Sequence, residues 1–188
     1  MRLFDDAMRA EVQRTLRLAE DLCGDHFRLS AFDLRQAPYD VVTAVELQGL
    51  DIAPPPSPTQ LAEVQRCDLT REERSARDRR RIHYRVCLWD PHILAAVDQG
   101  ARAGALLLFL LVHELVHVVR FARRLARFES SDDEKQREEH RVHEATHAIL
   151  ERAREPGLRE LLDDLPALGS CLRGFGTATG EPTPGRPR

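Results

Sequence analysis

The 188-residue chain has the composition of a folded soluble protein. Hydrophobic residues make up 42% and charged residues 31% of it, which excludes a disordered chain. The 28 basic and 31 acidic side chains leave a formal net charge of -3, so bulk charge gives no reason to expect nucleic acid or an anionic membrane as partner. The cysteines, Cys23, Cys67, Cys87 and Cys171, lack C-x-x-C spacing, which favours a reduced cytoplasmic setting over a disulfide framework.

The sequence predicts neither an export signal nor a membrane anchor. Its start, M-R-L-F-D-D-A-M-R-A-E, carries acidic residues where a signal peptide needs an apolar region. The longest uncharged run, from Ala103 to Val112, is about half of the roughly 20 residues that a membrane span requires. We therefore expect a cytoplasmic protein.

The first 47 residues predict a helix and two strands. Residues 3–22 place apolar side chains at helical spacing, and Gly24 is expected to end that helix. Residues 26–34 and 39–47 have strand-like patterns. Pro38 between them favours a turn, so we expect a β-hairpin.

A proline-rich connector separates this part from the next elements. Residues 54–58, P-P-P-S-P, are stiff and extended, and residues 59–67 after them are expected to form a helix. The run at 71–81 mixes charges of both signs without aromatic residues, which indicates a solvated helix or loop rather than a nucleic-acid site. Residues 82–89, I-H-Y-R-V-C-L-W, alternate strongly and predict a strand.

The second half of the chain is predicted to be helical. A helix over 91–99 precedes a long apolar helix that contains residues 106–121. Serine and aspartate at 130–133 offer N-caps for a helix over 134–154, and a short helix is expected over 158–165.

The long apolar helix carries a metal-binding motif. The residues His113-Glu114-Leu115-Val116-His117 match H-E-x-x-H, and positions four apart on a helix lie one above the other, so both imidazoles can reach one cation. Glu114 lies beside that ion, where a carboxylate can take a proton from metal-activated water. Because a buried carboxylate and buried imidazoles are costly without partners, we expect this segment to bind a metal ion.

The helix over 134–154 offers the third protein ligand that a catalytic zinc site needs. Its apolar stripe includes Val142, and Glu139 and His143 lie along one border of that stripe. Glu144 and His147 project more nearly to the opposite side. We expect Glu139 as the ligand and His143 as a partner of a ligand, with His143, Glu144 and His147 as alternative ligands.

Over residues 82–154 the chain resembles the gluzincin class of zinc peptidases, in which H-E-x-x-H on one helix is completed by a glutamate on the next. Several gluzincins carry E-x-x-A-D there, which residues 139–143 match loosely, and a second register takes Glu144-Ala145 instead. The resemblance implies Zn2+ and peptide hydrolysis, with Glu114 as general base and then proton donor. Candidates for the donor that holds the oxyanion are His140, His143, His147 and Tyr84.

We therefore expect an α+β fold, in which a small antiparallel sheet packs on a mainly helical, zincin-like core. A single compact domain is predicted over residues 1–173, with the metal-binding core at 82–165. Residues 1–53 are either part of it or an N-terminal appendage. Residues 174–188 are too poor in apolar side chains to pack and are expected to be disordered. The expected partner is a protein or peptide substrate, and the oligomeric state stays open.

Two other functions compete with a zinc peptidase. Residues 143–147 form a second H-E-x-x-H match, so Glu114/His117 and Glu144/His147 are E-x-x-H pairs of the kind found in di-iron oxidoreductases. The short separation of the two helices and the strands of the first half argue against such a bundle. The other alternative is a non-catalytic zinc-binding regulatory module, against which Glu114 argues, because metal ligation alone does not need that carboxylate.

Overall fold

The computed structural model describes residues 2–29, 38–47, 60–67 and 82–163. It confirms the α+β class. In chain order the elements are α1 (Asp6–Phe27), β1 (Tyr39–Thr43), α2 (Ala44–Leu47), β2 (Ala62–Cys67), β3 (His83–Leu88), α3 (Asp90–Asp98), α4 (Ala103–Ala122) and α5 (Asp132–Leu150). Residues 158–163 are also helical.

The sheet is mixed rather than antiparallel, so that part of the prediction is wrong. Its strand order is β1-β3-β2. β1 runs parallel to β3, and β2 runs antiparallel to it. A parallel pair needs a long connection, and the chain between Thr43 and His83 is long enough to include β2 on the way.

The predicted hairpin is wrong where the structure describes it. β1 ends at Thr43, where α2 begins, and its partner is β3 rather than a neighbouring strand. The predicted strand at 26–34 begins in the last turn of α1, and residues 30–37 lie outside the described residues. Short apolar runs are compatible with both the helical and the strand period. The local pattern also does not indicate which distant strand becomes the pairing partner.

Helix α1 also passes through its predicted end at Gly24. A mid-helix glycine costs only about 1 kcal/mol relative to alanine. The helix ends instead at Phe27, and the capping residue Arg28 has a left-handed φ of 50°. The backbone N–H of Leu29 then donates to the carbonyl of Gly24 at 2.8 Å. Packing of α1 therefore outweighs the local cost of its glycine.

The segment predicted as a helix at 59–67 is strand β2, so that prediction is also wrong. Ala62 and Val64 are buried in the core, and all of β2 pairs with β3 from Ala62↔Leu88 to Cys67↔His83. This pairing outweighs the weak helical spacing of the segment. The proline connector and the charged run at 71–81 lie outside the described residues.

The helices of the second half and strand β3 are confirmed to within a few residues. Helix α5 begins after Ser131, whose hydroxyl accepts from the N–H of Glu134 at 3.4 Å in a reciprocal capping box. The predicted disordered tail at 174–188 lies outside the described residues.

Helix α4 is the centre of the core, because it packs against α1, α5 and β2. Residues 105–119 are buried on every side of the helix. By length and composition α4 could cross a membrane, but 89% of its most apolar window is buried inside the protein, which fits the core helix of a soluble protein.

A fully buried carboxylate joins three parts of the chain. Asp90 at the start of α3 accepts from the backbone N–H of Phe4 at 3.0 Å and from that of Ala44 at 2.8 Å. Phe4 and Val12 belong to the same hydrophobic core as α4. The N-terminal helix therefore packs as part of this core.

Candidate metal centre

The two motif histidines lie on one face of α4, inside the protein. His113 is 0% and His117 5% exposed. Their ring centroids are 5.0 Å apart, one helical turn from each other. Phe121, a further turn on, stacks on His117 at 5.7 Å, and Tyr84 of β3 stacks on Phe121 at 6.0 Å. Aromatic packing against the sheet therefore orients the second imidazole.

Glu139 of α5 reaches both rings. Its Oε1 lies 3.1 Å from Nε2 of His117, and its Oε2 lies 3.5 Å from Nε2 of His113. Ligand atoms of these three residues all lie within 4.8 Å of one another, and no other such group occurs among the described residues. The structure thus brings together the three side chains that the sequence predicts as ligands.

The composition of the group suits a divalent metal ion, because two imidazoles and one carboxylate are a donor set found in catalytic zinc sites. The separations of 3.1 Å and 3.5 Å involve different oxygens of Glu139, so both rings lie within reach of one carboxylate group.

The pKa shifts of His113 and Glu139 also fit metal binding, which requires neutral imidazoles and an ionised carboxylate. Burial lowers the pKa of His113 to about 4, so this ring is neutral at pH 7. Burial by itself raises the pKa of Glu139, but hydrogen bonds from His113 and His117 outweigh that effect and lower it to about 2. His113 and Glu139 are therefore in the protonation states that metal ligands need.

Glu114 is a buried carboxyl group beside this cluster. It is 2% exposed, and its Oε1 has no hydrogen-bond partner among the described residues. Burial, together with the negative charges of Glu139 and Glu63, raises its pKa well above the usual value of 4.5. A carboxyl with a raised pKa can hold and release a proton closer to neutral pH, as a general base and acid must.

Glu63 is a neighbour of the site that the sequence prediction missed. It lies on β2, is 5% exposed, and accepts from the amides of Gln60 at 3.0 Å and Gln65 at 2.7 Å. The sequence pattern predicts a helix over this segment. The strand pattern there is too short to indicate that the carboxylate of Glu63 lies near Glu114.

The alternative ligands occupy other positions. His143 is half-buried, with its ring centroid 4.9 Å from that of His113, so it packs on a ligand without joining the converging group. Glu144 is 67% exposed and lies 3.4 Å from Nε2 of His140. His147, like Glu144, is not in the converging group. In the described part of the chain, the second E-x-x-H pair thus does not face the first.

The candidates for the oxyanion donor are spread over the same region. Tyr84 is 4% exposed and packs beneath Phe121, whereas the ring of His140 is 77% exposed. His143 alone among the histidine candidates contacts a ligand ring. The geometry therefore favours none of them as a donor to substrate.

Comparisons with known proteins identify no family for the chain. No family model matches it, and neither curated proteins nor solved structures give a match. The functional interpretation therefore depends on the geometry and chemistry of the centre.

Proposed function

We propose that the protein is a zinc-dependent metallopeptidase of the gluzincin kind, in which His113, His117 and Glu139 hold zinc and Glu114 is the general base. The observation that carries the proposal is the convergence of three donor atoms within 4.8 Å, next to a buried carboxyl group with a raised pKa. Metal binding by itself explains why the three donor atoms converge. A proton-transfer role also explains why the buried carboxyl group of Glu114 lies next to them.

Bound zinc would supply Lewis acidity, which polarises a carbonyl group and makes water nucleophilic near neutral pH. Glu114 would accept the proton of the attacking water and return it to the leaving amine. Its burial matters for both steps, because a carboxylate with an ordinary pKa is a weak base at neutral pH. Glu139 and the two imidazoles would orient the site, and the apolar surroundings of α4 would exclude bulk water.

Strand β2 supports a peptide as the substrate. It contacts α4, and in the described part of the sheet it pairs with β3 along one edge only. An extended peptide can add to such an edge through main-chain hydrogen bonds. A peptide bond bound this way would lie near the metal helix.

Zinc binding tests the first half of the proposal. Chelator-treated protein should take up one zinc ion with at least micromolar affinity, and His113→Ala and Glu139→Gln should lose most of it, because each removes a donor atom. His140→Ala is the matched control, since its ring is 77% exposed on the same helix as Glu139. A wild-type protein that binds no zinc would contradict the proposal.

Cleavage of an unbiased peptide library tests the second half. Glu114→Gln should retain zinc and lose cleavage, while the exposed Glu144→Gln should retain both. Cleavage that survives Glu114→Gln would refute the mechanism. Zinc binding by the wild type without any cleavage would instead favour the non-catalytic module.

A further inference from the structure

A largely buried ion pair joins α4 to α5 next to the proposed metal centre. Nε of Arg120 donates to Oε1 of Glu138 at 2.5 Å, and its Nη2 donates to Oε2 at 2.9 Å. The two side chains are only 14% and 10% exposed. Two-pronged pairs of this kind constrain direction as well as distance, because the guanidinium is planar and rigid.

The ion pair and the metal-binding group are neighbours on both helices. Arg120 lies three residues after His117, so it is on the same face of α4, about one turn further along. Glu138 directly precedes Glu139 on α5. The contact of Glu138 with Arg120 therefore lies beside the contact of Glu139 with His117, whose atoms are 3.1 Å apart.

The first two turns of α5 have little else to hold them against the core. Residues 132–137 are not buried, Glu138 is the first buried residue of the helix, and the first buried apolar residue is Val142. Glu139 lies before Val142, in the part of the helix without apolar anchoring. Arg141 also approaches Glu138, at 3.8 Å, but it belongs to the same helix and cannot position α5 against α4.

We propose that the Arg120–Glu138 pair positions Glu139, the third ligand, an inference that rests on the proposed zinc site. Consecutive residues on a helix point about 100° apart, so Glu138 and Glu139 reach α4 at different points. The ion pair sets the rotation and the axial position of α5 before metal binds. It also neutralises the charge of Glu138, which would otherwise repel the adjacent Glu139 in a poorly solvated interface.

Zinc affinity of the purified full chain, measured by competition with a chromophoric chelator, tests this role. Glu138→Gln keeps the shape of the side chain and removes its charge, and Arg120→Lys keeps the charge and removes the two-pronged geometry. Glu138→Gln should weaken zinc binding by about 10- to 100-fold, the usual effect of losing support for a metal ligand. Arg120→Lys should weaken it less. If Glu138→Gln does not fold, Arg120→Lys carries the test, with circular dichroism as the check.

Asp40→Asn is the matched control, because it breaks another two-pronged pair far along the chain from the centre. Arg85 donates to Asp40 at 3.1 Å and 2.8 Å on the sheet. This variant should bind zinc as tightly as the wild type, so a general loss of stability cannot mimic the expected effect. Equal zinc affinity in Glu138→Gln, Arg120→Lys and wild type would overturn the inference while leaving the zinc site itself intact. Absence of zinc binding in the wild type would overturn both.

Discussion

Replacing Glu114 by glutamine should stabilise the metal-free protein near neutral pH while abolishing its proposed activity. Glu114 is 2% exposed, and its Oε1 has no hydrogen-bond partner in the described ranges. Burial and the charges of Glu139 and Glu63 raise its pKa well above 4.5. The carboxyl therefore has an environment suited to proton transfer and unfavourable for its own ionisation.

The sign and size of the effect follow from proton linkage. Above pH 4.5, the ordinary pKa of the group, the unfolded chain releases the proton of Glu114 while the folded protein retains it. The free energy of unfolding therefore falls as the pH rises, by about 1.4 kcal/mol per pH unit, until the pH reaches the folded-state pKa. Glutamine does not titrate. The difference in free energy of unfolding between the variant and wild type should therefore shift in favour of the variant by up to about 2 kcal/mol between pH 4 and pH 6.

Denaturant unfolding in the presence of a chelator measures this difference. Wild type and Glu114→Gln are compared at steps between pH 4 and pH 7, and the other titrating groups cancel because both proteins share them. Glu144→Gln provides the control, since that side chain is 67% exposed and should show no pH-dependent difference. A gap between Glu114→Gln and wild type that does not change with pH would refute the reasoning, because Glu114 would then ionise normally in the folded protein.

Three further variants test the contacts that build the fold. Asp90→Ala should lower the free energy of unfolding by about 2–5 kcal/mol, because it leaves the buried N–H groups of Phe4 and Ala44 without an acceptor; a loss below about 1 kcal/mol would contradict this role. Ser131→Ala should cost about 1 kcal/mol by removing the cap of α5, and equal denaturation midpoints would count against it. Burial raises the pKa of Asp40, but hydrogen bonds from its arginine and histidine partners outweigh that effect and lower it below 3.8. Asp40→Asn should therefore lose less stability than wild type when the pH falls from about 5 to about 3, as unfolding curves at both pH values would show; parallel losses would argue otherwise.

The local sequence pattern predicted the second half of the chain well, because the information there is local. Sustained helical spacing over α4 and the serine N-cap of α5 depend on residues within a turn of one another. The spacing of His113 and His117 places both imidazoles on one face of any helix. The helical wheel of the next helix placed Glu139 and His143 along one border of its apolar stripe and favoured Glu139 as the ligand. The structure brings Glu139 to 3.1 Å and 3.5 Å from the two rings.

The first half was predicted poorly, because its structure depends on distant partners. β1 pairs with β3 across a separation of more than thirty residues, from Tyr39↔Tyr84 onward, and the segment at 59–67 becomes a strand only because β3 is there to pair with it. Likewise α1 continues past Gly24 because packing on α4 outweighs the cost of one glycine.

The chain by itself determined that two imidazoles and a carboxylate share one helix, since helical periodicity is a property of neighbouring residues. Only the tertiary structure decided what surrounds them. The approach of Glu63 to Glu114 and the Arg120–Glu138 pair join elements that lie apart in sequence. Burial, which sets the pKa of Glu114 and the strength of that ion pair, exists only once those elements have packed.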